Sequence, residues 1–226
     1  MHDEEKRVTY RGFLFDLDGT LVDSLPAVER AWSQWGARHG IAADEILDFI
    51  HGKQAITSLR HFMAGQPEEA IQAEFVALEQ AEAADTDGVQ ALPGARALLE
   101  RLNALQIPWA IVTSGSVPVA HARHKAAGLP KPAVFITAEQ VAKGKPEPDP
   151  YLLGAEKLGL AAAACVVAED APAGIVSGLN AGCAVIALNA PADTPRLDEV
   201  ALRLSSLASL VVTRESDGSF TFSQQA

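Results

Sequence analysis

Positive charge is scarce in this chain. Its 226 residues carry 18 Lys and Arg against 29 Asp and Glu, a formal net charge of −11 at pH 7. Neither nucleic acid nor an anionic membrane is expected as a partner, because both need a basic face. A small anionic substrate would have to find its own local cations, so single lysines near a site become informative. Cysteine is nearly absent. Cys165 and Cys183 both stand in apolar runs, and two buried free thiols are expected rather than a disulfide. Long apolar runs are missing too. The uncharged, alanine-rich stretch before Glu169 is far too short to span a bilayer. The first residues, Met1-His2-Asp3-Glu4-Glu5-Lys6-Arg7, hold no apolar signal-peptide core. A cytoplasmic location is therefore expected. No repeat or low-complexity tract is evident. The length fits one large domain, or a core with a smaller companion.

What is present begins at Gly12-Phe13-Leu14-Phe15-Asp16-Leu17-Asp18-Gly19-Thr20. A short apolar run bounded by glycines reads as a buried strand. Side chains alternate along a strand, so Asp16 and Asp18 start on the same side and emerge where the chain turns at Gly19. In a parallel α/β sheet, that end of a strand borders the ligand crevice. Two such carboxylates suit a divalent cation, with one left for acid/base work. An ordinary Asp-Gly turn after a strand is the plain alternative.

Ser24 is placed to cap a helix whose first turn holds Pro26. Val28, Ala31, Trp32 and Trp35 follow at helical spacing. Further helices are predicted at 43–50, 55–63 and 68–84, with a break at His51-Gly52-Lys53-Gln54. No strand interrupts this section, which reads as a helical insertion between two halves of a sheet domain. After Leu92-Pro93-Gly94 the pattern alternates. Helices are predicted at 95–105, 119–127, 150–158 and 173–181, and strands at 109–113, 133–137, 165–168 and 184–188. Such alternation indicates a parallel, Rossmann-like sheet with helices on both faces. A short helix near 204–207 and a hairpin through 210–213 and 220–222 complete the chain.

Three more strand ends carry chemistry. Thr113-Ser114-Gly115-Ser116 offers hydroxyls and free backbone N–H groups to a phosphoryl oxygen; a plain Ser/Gly helix cap is the alternative. Lys143-Gly144-Lys145-Pro146-Glu147-Pro148 is stiffened by proline, which can hold one lysine in place. Glu169-Asp170 again ends a strand in acids before a helix.

These four segments, in this order, resemble the motifs of the haloacid-dehalogenase-like (HAD) hydrolase superfamily, over residues 12–195. Asp16-Leu17-Asp18-Gly19-Thr20 is the specific element. Glu169-Asp170 is the acidic-pair variant, with Ala168 where many members carry glycine. The chain is most similar to the β-phosphoglucomutase and sugar-phosphatase branch, including its members acting on hexitol and sugar monophosphates. The resemblance implies a core at 1–24 and 93–226 and a helical cap at 25–92. It also implies an Mg²⁺-dependent phosphoric monoester hydrolase acting on a small sugar or polyol phosphate. In that scheme Asp16 is the nucleophile and Asp18 the proton carrier. Thr113, Ser114, Lys145 and Gly19 hold the phosphoryl group. Asp16, the Asp18 carbonyl and Asp170 hold the cation, with Glu169 behind or beside them. His51 and Lys53, in the cap loop, reach the leaving group.

A phosphomutase of the same superfamily and a non-catalytic phosphate-binding regulator are the rivals. Dehalogenation has no use for Asp18 or for the cation set. A phosphonate hydrolase would need Lys53 as a Schiff base. His121 and His124, three apart on a helix, lack further ligands and are expected on the surface. Trp32 and Trp35 are expected to pack the insertion, and Asp23 to steady the turn. A monomer is expected.

Overall fold

The computed structural model describes residues 8–226; the charged start read above lies outside the described residues. β1 (Gly12–Phe15) is buried along its whole length. β2 (Val22–Asp23) follows, then four helices: α1 (Leu25–His39), α2 (Ala43–Ile50), α3 (Ala55–Phe62) and α4 (Glu68–Ala84). β3 (Gln90–Ala91) leads into α5 (Ala95–Ala104), β4 (Trp109–Val112), α6 (Val117–Ala127) and β5 (Val134–Ile136). The chain continues through α7 (Asp149–Lys157), β6 (Cys165–Glu169), α8 (Pro172–Asn180), β7 (Ala184–Leu188) and β8 (Leu202–Leu204). It closes with β9 (Leu210–Arg214) and β10 (Phe220–Gln224).

Six strands form a parallel sheet in the order β5-β4-β1-β6-β7-β8. Alternation along β1 decides its two faces. Phe13 and Phe15 point into a cluster with Leu98, Leu99 and Leu102 of α5 and with Ala120 of α6. Leu14 points into the opposite cluster with Tyr151 of α7 and Ile175 of α8. Each such Phe, Leu or Ile side chain, fully removed from water, contributes about 1.5–3 kcal/mol. The β9–β10 hairpin closes the first face, where Phe220 stacks on Phe13 with ring centroids 4.7 Å apart.

The helices α1–α4 have a hydrophobic core of their own, built on Trp32, Trp35, Ile46, Leu59, Met63, Ile71 and Leu78. The tryptophans pack there as expected. An antiparallel ribbon of β2 and β3 carries the chain out to this unit and back. That ribbon is too short to leave an alternation pattern. Cys165 and Cys183 are buried free thiols. Among the described residues, no helix is long and apolar enough to cross a membrane.

Three local expectations are corrected. Residues 202–204 are an edge strand paired with β7, and the helical turn falls later, at Leu207–Ser209. Leu202-Arg203-Leu204 alternates in the way an edge strand with one wet side does. Ser24 makes no capping bond to α1; its hydroxyl donates to Asp18 Oδ1 at 2.6 Å instead. His124 is buried rather than on the surface. Its Nε2 donates to Pro130 O at 2.9 Å, and its ring meets Phe135 edge-on, while His121 stacks on the same ring.

Candidate active site

The site lies at the carboxyl ends of β1, β4 and β6, adjacent strands in the middle of the sheet. Asp16 continues β1, and its backbone N–H donates to Ala168 O of β6 at 3.1 Å. That bond sets Asp16 level with Glu169. Asp16, Glu169 and Asp170 each offer a carboxylate oxygen, all within 4.8 Å of one another. Lys145 reaches into this group from the loop between β5 and α7, with its side chain 1% exposed. Its Nζ donates to Asp16 Oδ1 at 3.1 Å, Glu169 Oε1 at 2.6 Å and Val112 O at 2.9 Å. Tyr151 donates to the same Glu169 oxygen at 2.5 Å. Thr20 Oγ1 donates to Asp170 Oδ1 at 3.0 Å.

Two glycines make this crowding possible. Gly19 has a φ of +82°, and a Cβ there would stand 2.1 Å from Asp170 Oδ2. A Cβ on Gly174 would stand 1.9 Å from Glu169 Oε1. The acids occupy the volume that side chains would have taken.

Burial, only partly offset by Lys145, pushes the Asp16 carboxyl up to about 8. Burial and the neighbouring Asp16 push Glu169 up to about 7. Burial and Glu169 push Asp170 up to about 6. Burial works against the Lys145 ammonium, but Asp16 and Glu169 outweigh it and hold its pKa above the ordinary lysine range. Three carboxylates face one ammonium, so the ionised group carries two surplus negative charges. An all-oxygen donor set with that surplus fits a hard divalent cation. Glu169 Oε1 is already taken by Lys145 and Tyr151, which leaves Asp16 and Asp170 as the freer ligands.

Asp18 stands beside this cluster and has different partners. Its Oδ1 accepts from Ser24 Oγ at 2.6 Å and from Arg123 Nη1 at 3.3 Å. Arg123 Nη2 in turn donates to Glu82 of α4, at 2.5 Å. Thr113 Oγ1 accepts from the Gly115 N–H at 3.0 Å, which leaves its own proton to donate. Ser114 Oγ donates to Gly52 O at 3.0 Å, a direct tie between the sheet unit and the helical unit. Lys53 Nζ donates to Phe49 O at 2.7 Å and lies over the Phe49 ring; His51 is exposed. A cavity of about 730 Å³ opens between the two units. Asp16, Asp18, Gly19, His51, Lys53, Thr113, Ser114 and Asp170 line it, whereas Lys145 and Glu169 sit behind its wall.

The model of the haloacid dehalogenase-like hydrolases matches residues 10–182. The chain belongs to this family. Hexitol phosphatase A of Escherichia coli (strain K12) is 70% identical over 208 residues, 92% of this chain and 96% of that protein. Glycerol-1-phosphate phosphohydrolase 2 of Saccharomyces cerevisiae is 35% identical, over 82% of this chain and 77% of its own. Among solved structures, a hydrolase from Pseudomonas syringae superposes with a TM-score of 0.78 at 27% identity, over 88% of this chain and 94% of that one.

The strand-end acids, Lys145, Thr113 and Ser114, picked out as family motifs, converge on one place. Sequence reasoning missed Arg123, Glu82, Tyr151 and the role of Ser24. A signal existed for two of them. Arg123 falls on the buried stripe of α6 with Val119, Ala120 and Ala127. Glu82 falls on the buried stripe of α4 with Ile71 and Leu78. A charge at helical spacing within an apolar face asks for a buried partner.

Proposed function

We propose that this chain is an Mg²⁺-dependent phosphatase that hydrolyses small sugar or hexitol monophosphates through an aspartyl-phosphate on Asp16. The observation that carries the reading is the cluster of Asp16, Glu169 and Asp170 around Lys145, opening on a cavity between sheet and helices. The 70% identity to a hexitol phosphatase supports the substrate class.

Asp16 attacks phosphorus and forms the acyl phosphate. Asp18 gives its proton to the departing sugar oxygen and later takes one from the attacking water. Its Oδ1 already accepts two hydrogen bonds, so the exchangeable proton resides on Oδ2. Thr113 and the Ser114 N–H hold non-bridging oxygens, and Lys145 fixes the nucleophile and neutralises charge behind it. The divalent ion supplies charge neutralisation between carboxylate and phosphate; Asp16, the Asp18 carbonyl and Asp170 would hold it, backed by Glu169. Residues 25–92 act as the cap, with His51 and Lys53 at the leaving-group end, and exclude bulk water. One chain carries every residue the reading requires, and a cytoplasmic monomer is the simplest form of it.

A panel of phosphorylated sugars, polyols, nucleotides and phosphoglycolate, with and without Mg²⁺, tests this by phosphate release. The expected result is stoichiometric phosphate from hexitol and sugar monophosphates, dependent on the cation. Transfer to another hydroxyl would make the protein a mutase. Tight binding without release would make it a phosphate-binding regulator.

A further inference from the structure

Glu82, Arg123 and Asp18 form a line of charge that crosses from the helical unit into the core. Arg123 sits on α6, with its side chain 5% exposed, between two acids of different origin. Glu82, 7% exposed, belongs to α4, the last helix of the insertion, which packs against α6. Asp18 belongs to the strand-end segment and is 29% exposed. Ser24, which grips the same Asp18 oxygen, stands at the start of α1, where the insertion begins. The Asp18 carboxyl is therefore held directly by Ser24 and Arg123, and through Arg123 it is tied to Glu82 at the far end of the insertion. A buried guanidinium is costly to place unless paired, and its planar fork fixes two partners at once. Among the described residues its Nε has no partner. The fork is thus aimed by its two Nη contacts.

We infer that Arg123 is a positioning residue for Asp18, held in place by Glu82, so that seating the helical insertion on the core completes the alignment of the proton carrier. This rests on the reading of Asp18 as proton carrier given above. Arg123 and Glu82 take no part in bond making. They decide where the Asp18 carboxyl points when the alkoxide leaves.

Single-turnover phosphoryl transfer with two donors tests the inference. The first is the alkyl monophosphate best turned over by the wild type, whose alkoxide leaves poorly without a proton. The second is p-nitrophenyl phosphate, whose phenolate leaves without one. In Arg123→Gln the transfer rate from the alkyl donor should fall up to roughly 10²-fold, the cost of a misplaced catalytic group. The nitrophenolate release should stay within a few-fold of wild type. Glu82→Gln should show the same selectivity with a smaller loss, and Arg123→Lys should recover part of the alkyl rate. Equal losses for both donors, or none, in a variant with a wild-type circular dichroism spectrum overturn the inference. If Arg123→Gln does not fold, Glu82→Gln and Arg123→Lys decide by the same criterion. Asp18→Asn separates the two levels. Should it fail to distinguish the donors, the reading of Asp18 falls; should it distinguish them while the Arg123 and Glu82 variants do not, only the positioning role falls.

Discussion

Lys145 and Lys53 belong to the same proposed site under opposite constraints. Lys145 is buried, bonds two carboxylates and a carbonyl, and has its ammonium stabilised above the ordinary range. Lys53 is half-buried, bonds a single carbonyl of its own unit and lies over Phe49, and burial lowers its pKa. One lysine is fixed among the strand-end acids. The other lies on a wall of the cavity. In the proposed reading, strand ends hold what every phosphoryl transfer needs, while the helical unit holds what selects a particular substrate.

Removing the proposed nucleophile should give the largest effect. Asp16→Asn is expected to abolish turnover and leave the fold intact, with intact-mass measurement excluding deamidation back to Asp. Appreciable phosphate release from the folded, verified variant would erase the special status of the core site. Next comes Lys145→Met. Loss of one such transition-state contact costs about 2.7–4 kcal/mol of barrier, or roughly 10²–10³-fold in kcat. Thermal denaturation should also show destabilisation, because Asp16 and Glu169 lose their shared cation.

The same cluster should respond to pH and chelation. Without a cation, Asp16, Glu169 and Asp170 hold protons up to about 8, 7 and 6. Unfolded carboxyls release theirs near roughly 4. The folded state then binds more protons across this window, so stability in a chelator should decline as pH rises from about 4 to about 8. Saturating Mg²⁺ should flatten the slope, since cation binding favours the ionised carboxylates. Denaturant titrations at several pH values read this directly, and a flat profile in chelator would remove the electrostatic basis of the cation site. The smallest effect is expected in the helical unit. Lys53→Ala should raise KM by up to about tenfold, on the order of 1.4 kcal/mol, with kcat little changed. A kcat loss as deep as that of Lys145→Met would erase the contrast between the two lysines.

What the sequence made legible follows the same division. Asp16 and Asp18 could be read because two local facts, an apolar strand and a turn at Gly19, place them. Glu169-Asp170 could be read for the same reason. Lys145 depended on a proline-stiffened loop and on family resemblance. The five sheet strands with continuous apolar runs were predictable, whereas β8 was not read as a strand, and its last residue was placed in a short helix near 204–207, because one side of it is wet. The pairing of Arg123 with Glu82 joins residues 41 apart in the chain and exists only once α4 docks on α6. No local pattern encodes that distance; the apolar stripes announced two buried charges without naming their partners. Ser24 looked like a helix cap because its position allows one, and the nearer carboxylate of Asp18 took its hydroxyl instead.

The most direct measurement is a rapid acid quench during turnover in Mg²⁺, followed by peptide mass spectrometry. The account predicts a hydroxylamine-sensitive phosphoryl adduct on the peptide that holds Asp16, accumulating at the carboxylate of that residue and absent from Asp16→Asn. Steady phosphate release with no adduct at any time, or an adduct on a different residue, would contradict it.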